Sequence, residues 1–328
     1  MSLEPTPAGQ PALQVPHPIV QLARLLTAGS AAFRTTAPEG YQRGIDIYSA
    51  AVLPMILAKS ARQFRAAHGR FPDIIEPVRY TDKIYWSKFF RPLKIPETGN
   101  KLMTASFIPD EAKDLVQCPR IVWHSAEARV PRGKEIEPGA YFLKANFGSD
   151  RFRRVTYPLT DAEADALDAE FAAHLDNDYN WWRGEWWYNI FPRELLLEQA
   201  IGSGEETTSW NFLVIGGEIA RATVYQKLAD GSARKAHLSP DFKPLPAFDD
   251  SEPAEFELPS SETLERLAAA AKAIGTPLRF VRVDFLLDDD ETIYLGEVTF
   301  TPGHGTLPMR DDMDLELGAL WDLSGELP

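Results

Sequence analysis

The chain contains one cysteine, Cys118, in 328 residues, so it can form no intrachain disulfide and build no cysteine-based zinc site. A reducing compartment fits that scarcity, and the expected location is the cytoplasm. Basic residues are also outnumbered: 34 Lys and Arg stand against 48 Asp and Glu, a net charge of −14 with a pI near 5.0. A nucleic-acid binder needs a basic surface to neutralise phosphates, and nucleic acid is therefore excluded as a partner. Long apolar runs are missing too. The longest, Ile47 to Ala58, carries Pro54 and falls well short of the roughly 20 residues that cross a bilayer, so no transmembrane helix is expected. The first 16 residues hold four prolines and lack the basic start and apolar core of a secretory signal; a flexible tail is expected there. No segment recurs at a fixed period, which excludes a solenoid. His17, His68, His124, His174 and His237 show no metal-ligand spacing.

What is present is ordinary globular material, 44% hydrophobic and 25% charged, long enough for two domains or one composite. From His17 to Gly69 the pattern is mostly helical. Lys59, Arg62 and Arg65 recur three apart, as on a solvated helix face, with contact to an anionic membrane as the lesser alternative. Residues 70–139 mix short apolar runs with prolines and charges, and an α/β region is expected. Beyond Ala140 the signals sharpen. AYFLKA and RFRRVTYPL flank the loop NFGSD, a hairpin pattern. Thr160 with Glu163 three residues on forms a capping box, followed by Ala164, Leu167, Phe171 and Leu175 at helical spacing. PRELLLEQAIG reads as a buried strand, and Gly216-Gly217 as the turn of a second hairpin. Ser261 is placed to cap a helix whose apolar face carries Leu264, Leu267, Ala268, Ala271 and Ile274, with Gly275 as its stop. RFVRVDFLL and IYLGEVTF form a third hairpin. Helices interleaved with hairpins indicate an α+β fold. Trp181, Trp182, Trp186 and Trp187 fall within seven residues; packing in and between lobes is favoured over sugar stacking.

The third hairpin can be argued geometrically. A four-residue loop, Asp289 to Thr292, sets Asp284 opposite Glu297 and Arg282 opposite Thr299, all on one face. Opposed Cβ atoms lie about 4.5 to 5.5 Å apart, where like charges are destabilising unless neutralised. A divalent cation would neutralise them, and Mg²⁺ accepts two carboxylates while completing its shell with water and phosphates. The alternative is an exposed acidic pair relieved by Arg282.

RFVRVDFLL…IYLGEVTFTPGHG resembles the C-terminal signature of ATP-grasp enzymes, specifically the TupA-like branch associated with teichuronopeptide and capsular polysaccharide synthesis. YTDKIYWSKFF, GNKLMTASFI, YFLKANFGSD, PRELLLEQAI and NFLVIGGE resemble further family segments in the right order, from about Phe71 to Leu323. The resemblance implies an ATP-grasp fold, two α+β lobes clamping nucleotide between them, with an N-terminal helical extension. Its divisions would be a tail at 1–16, the extension at 17–70, an N-terminal region at 71–139, a small lobe at 140–200 and a C-terminal lobe at 201–328.

By the same resemblance, Lys144 and Lys101 reach the ATP phosphates and the loop at Gly148 and Ser149 closes over them. Glu198 corresponds to the acid at the hinge where adenine binds. The ribose acid falls at Ser209 and a basic residue at Asn211, both departures, with Glu205 or Glu206 as a substitute for the ribose contact. Asp284, Glu297 and Thr299 correspond to the Mg²⁺ ligands, and Arg282 faces the transferred phosphoryl group. His304 is a candidate general base. The implied activity is an ADP-forming ligase that joins a carboxylate to an amine through an acylphosphate, using ATP and Mg²⁺. The implied partners are a carboxylate-bearing sugar or amino acid, an amine, and a peripheral contact with membrane-associated polysaccharide machinery. Two alternatives stay open: a small-molecule or sugar kinase, and a non-catalytic nucleotide-binding scaffold.

Overall fold

The computed structural model describes residues 40–41, 53–202, 207–228, 232–248 and 253–324. The expected tail, much of the expected helical extension and Glu205 lie outside the described residues. Of that extension, helix α1 (Leu53–His68) is described. It buries Ile56 and Phe64 while Lys59, Arg62 and Arg65 stay exposed, the arrangement expected of a solvated face. Among the described residues no helix is long and apolar enough to cross a membrane.

Two antiparallel sheets and the helices around them give an α+β architecture. In the smaller sheet, the expected hairpin is β2 (Gly139–Ala145) with β3 (Phe152–Tyr157), joined through β4 (Leu195–Gln199) to β1 (Ile121–Ser125), in the order β1-β4-β2-β3. Strand β4 is flanked on both sides, which is why LLLE is buried at every position. Helix α3 (Asp161–Asp176) packs beside this sheet and starts at the expected capping box, with Thr160 Oγ1 accepting from Glu163 N and Glu163 reaching back to Thr160 N.

The larger sheet runs β10-β9-β5-β6-β7-β8, built from β5 (Thr207–Ile215), β6 (Glu218–Lys227), β7 (Ala233–Leu238), β8 (Pro244–Leu245), β9 (Phe280–Leu287) and β10 (Ile293–Thr299). Gly216 and Gly217 both have positive φ, 61° and 85°, as a tight hairpin turn requires. Helix α4 (Ser261–Gly275) covers one face of this sheet with Leu267, Ala270, Ala271 and Ile274 fully buried. Two of its expected boundary signals are corrected. The N-cap is Ser260, whose Oγ accepts from Thr263 N at 3.2 Å. Gly275 has φ −81° and remains helical; it is glycine because an added Cβ would sit 2.6 Å from the Val214 side chain.

Helix α2 (Tyr80–Phe90) buries ten of its eleven residues and packs against α5 (Asp311–Leu320) near the C-terminus. Buried Asp314 makes the joint: its carboxylate accepts from Thr81 N and Thr81 Oγ1, each at 2.8 Å. An anion there satisfies donors at the start of α2 and complements its dipole. Trp186 and Trp187 are buried, and Trp186 Nε1 donates to the Lys88 carbonyl at 2.7 Å; these two tryptophans are core rather than an exposed sugar platform.

The Gly275 packing makes one prediction. Gly275→Ala should lower the urea midpoint by the equivalent of about 1 to 3 kcal/mol, the usual cost of overpacking, with the slope of the transition unchanged.

Candidate functional site

The third hairpin places its charges as expected, by a different route. Its loop spans five residues, closed by Asp288 N donating to Thr292 O at 3.0 Å, so partners near the turn are offset by one from the expected register. A bulge between Leu295 and Glu297 inserts Gly296 and corrects the offset. Beyond it Asp284 faces Glu297 and Arg282 faces Thr299. Arg282 grips Asp284 with both prongs, Nε to Oδ1 at 2.7 Å and Nη2 to Oδ2 at 2.6 Å, and Nη2 also reaches Thr299 Oγ1 at 3.3 Å. Burial raises the Asp284 pKa; Arg282 opposes this and Glu297 reinforces it, leaving the group above the ordinary carboxylate range. One guanidinium therefore balances one of two facing carboxylates, and Glu297 is left as surplus charge.

Across from this face lies the lysine and glycine loop. Lys144 leaves β2 toward Glu198 on β4, Nζ to Oε1 at 2.5 Å. Gly148 has φ 75°, and a Cβ there would strike the Tyr179 ring at 2.6 Å. Tyr179 Oη in turn accepts from Ser149 N at 2.8 Å and lies 2.7 Å from Ser149 Oγ. Lys101 comes from the start of a 3-10 turn, Lys101–Phe107, capped by Asn100. Its ammonium donates to the Gly148 carbonyl. Burial lowers its pKa, which Glu297 and Glu198 oppose and Lys144 reinforces.

Fully buried Asn146 organises this assembly. Its Nδ2 donates to Asn100 Oδ1 and Pro192 O, its Oδ1 accepts from Glu194 N, and its backbone pairs with Glu194 and Lys101. It stands two residues after Lys144, where it could be read from the sequence only as a loop residue.

The two groups open onto one cavity of about 640 Å³ between the sheets, within the usual range for small-ligand clefts. Lys101, Lys144, Gly148 and Ser149 line it from one side, Arg282, Asp284 and Glu297 from the other. Ser209 and Asn211, the two departures, line it as well, and the Asn211 Oδ1 is buried without a partner. Glu198 and Thr299 stand behind the wall, bonded to Lys144 and Arg282 rather than lining the space. The lining holds seven basic side chains and three acidic ones, although the whole chain carries −14. Such an inversion focuses a positive potential on the cleft and favours an anionic ligand. Three of the cations, Arg221, Lys227 and Lys235, sit on β6 and β7; they look in the sequence like solvated strand residues, and their shared face emerges only from the register.

His304 lies outside the cavity lining. Its Nδ1 is 2.7 Å from Glu185 Oε2, and Lys88 donates to its carbonyl. Burial would raise the Glu185 pKa, but His304, Lys88 and Thr301 hold it below the ordinary value. This cluster fixes the TPGHG turn, where Gly303, His304 and Gly305 all have positive φ.

Residues 231–322 match the family model described as TupA-like ATPgrasp. The match covers the segment with the charged hairpin. No curated protein matches the chain. Among solved structures, D-alanyl-alanine synthetase A from Vibrio cholerae O1 biovar eltor is similar at 17% identity and TM-score 0.41, over 73% of this chain and 63% of that one. An L-amino acid ligase from Bacillus licheniformis is similar at 16% and 0.42, over 78% and 56%. The ATP-grasp ligase PsnB, solved with a phosphomimetic variant of its minimal precursor, Mg and ADP, is similar at 16% identity and TM-score 0.38, over 67% of this chain and 57% of that one. The chain thus spans less than two thirds of the length of these proteins.

The Asn146 hub predicts that Asn146→Ala lowers stability by about 2 to 4 kcal/mol, because buried partners are left unpaired. Chemical denaturation of wild type and variant checks this.

Proposed function

We propose that the protein is an ATP-dependent carboxylate–amine ligase of the ATP-grasp type, forming ADP. The observation that carries this reading is the cation-rich cavity that sets two lysines and a glycine turn opposite facing carboxylates. Lys144 and Lys101 bind the nucleotide phosphates as point charges. Glu198 aims Lys144, which is the role its 2.5 Å contact supports better than an adenine contact. The Gly148–Ser149 turn supplies backbone donors, once Ser149 N exchanges Tyr179 for phosphate and Lys101 releases the Gly148 carbonyl.

The residues present fit Mg²⁺. Among the described residues no three Asp, Glu, His or Cys side chains gather as a cluster; the donors at the cavity are the carboxylates of Asp284 and Glu297, and the Thr299 hydroxyl, bonded to Arg282 behind them, would join the set only on leaving that contact. That set suits an ion that takes its remaining ligands from water and phosphates, and the surplus charge of Glu297 beside raised Asp284 favours a cation. When bound, Mg²⁺ supplies charge neutralisation at the phosphates. Arg282, locked by Asp284, presents a fixed guanidinium to the transferred phosphoryl group.

The chemistry is then a two-step exchange. An oxygen of the acceptor carboxylate attacks the γ-phosphorus, the bond to the β,γ-bridging oxygen breaks, and ADP leaves. The amine attacks the acylphosphate carbon, a C–N bond forms, the C–O bond to phosphate breaks, and the nitrogen loses a proton. Positioning and exclusion of water are the protein's main contribution. The acceptor class we infer, a uronic acid or amino acid destined for a surface polymer and joined in the cytoplasm, follows from the resemblance to the TupA-like branch, whose family model matches residues 231–322.

The test is ADP release from Mg·ATP across panels of carboxylic acids and amines, with products identified by mass spectrometry. An amide is expected, with Lys144→Met and Glu297→Gln each slowing turnover by about 100-fold or more. A stable phosphate ester without amide would make the protein a kinase and overturn the ligase reading.

A further inference from the structure

We propose that Arg221 anchors a second anionic group of the acceptor, so that the enzyme prefers a dicarboxylic or oligo-anionic acid to a simple monocarboxylate. The proposal rests on the ligase reading in taking the reacting carboxylate to lie at Arg282.

Leu213 on β5 pairs with Arg221 on one side and Arg282 on the other. Cross-strand partners share a face, and all three residues line the cavity. Two strand spacings put the backbones of the two arginines about 10 Å apart. They differ in how their charge is met. Arg282 is paired bidentately with Asp284. Arg221 is 5% exposed, yet no carboxylate among the described residues lies within ion-pair distance of it. Its Nη2 donates to Pro246 O at 2.8 Å, its Nη1 meets Met313 Sδ at 3.7 Å, and its guanidinium lies over the Phe248 ring at 4.2 Å. The Nε is buried with no acceptor. Burial pulls its pKa down, against the opposing pull of Glu316 and Tyr80.

A buried cation is costly unless an anion meets it, and Arg221 lines the ligand cavity. A carboxylate is the partner its planar fork matches. The nearby wall, Phe248, Leu213 and Met309, suits the carbon body that would join the two anionic groups.

The experiment uses the full chain and two near-isosteric probes, adipate and adipic acid monoamide, which differ by one charge. Each is titrated calorimetrically into wild type, Arg221→Met and Arg221→Lys, with and without Mg²⁺ and a non-hydrolysable ATP analogue. Wild type should bind adipate at least tenfold tighter than the monoamide. The preference should vanish in Arg221→Met and survive in part in Arg221→Lys, with affinity for the ATP analogue unchanged. The ligand-free melting temperature of Arg221→Met should equal or exceed that of wild type, since an unmatched buried charge has been removed. Equal binding of the two probes to wild type, no binding of either, or a preference retained in Arg221→Met overturns the proposal. So does an equal loss of nucleotide affinity in Arg221→Met, which would make the arginine a phosphate ligand. If the adipate preference holds without nucleotide while ATP does not bind at all, the anion subsite stands and the ligase reading falls.

Discussion

Two carboxylates face one another across β9 and β10, and the single guanidinium beside them balances only one. Arg282 holds both oxygens of Asp284, while Glu297 faces the same space without a matching ion pair of its own among the described residues. Much of the site answers that imbalance. Lys101 feels Glu297 from across the cavity and, half-buried, donates to the Gly148 carbonyl. The six-stranded sheet supplies the rigidity, since β9 is paired on both edges and cannot shift its charges without breaking two ladders.

The register of that hairpin depends on Gly296. Without the bulge, the five-residue turn would set Asp284 opposite Gly296, and Glu297 would point to the other face. A Cβ added at this position would make only ordinary contact, 3.4 Å from the Asp284 carbonyl oxygen, so the bulge rather than close packing is what the position contributes. The facing pair was legible from alternation along the strands, but the expected loop was one residue too short and the bulge made up the difference. A β-bulge leaves little trace in composition, so strand alternation gives the pairing of Asp284 with Glu297 while the turn length stays hidden.

Elsewhere, legibility followed how local the signal was. The capping box at Thr160, the Gly216-Gly217 turn and the buried run LLLE were readable because their causes lie within a few residues. Ser260 and Ser261 compete as caps, and only the backbone decides between them. Asn146, Tyr179 and Glu185 could not be recognised, because each acts through partners 30 or more residues away: Asn100 and Glu194, Ser149, and Thr301 and His304. The cationic wall of Arg221, Lys227 and Lys235 was hidden for the same reason. Asn211 looked like a lost cation in sequence; in the fold its neighbours on β6 and β7 bring positive charge to the same cavity.

If the facing carboxylates are the seat of a cation that brings nucleotide to the lysines, ATP affinity must depend on Mg²⁺ and on Glu297. Isothermal calorimetry of ATP binding to wild type and Glu297→Gln, with and without Mg²⁺, measures this directly. The account predicts binding that strengthens at least tenfold with Mg²⁺ in wild type and loses most of that gain in the variant. Nucleotide binding that is absent at every Mg²⁺ level, or indifferent to both the cation and the substitution, would contradict it.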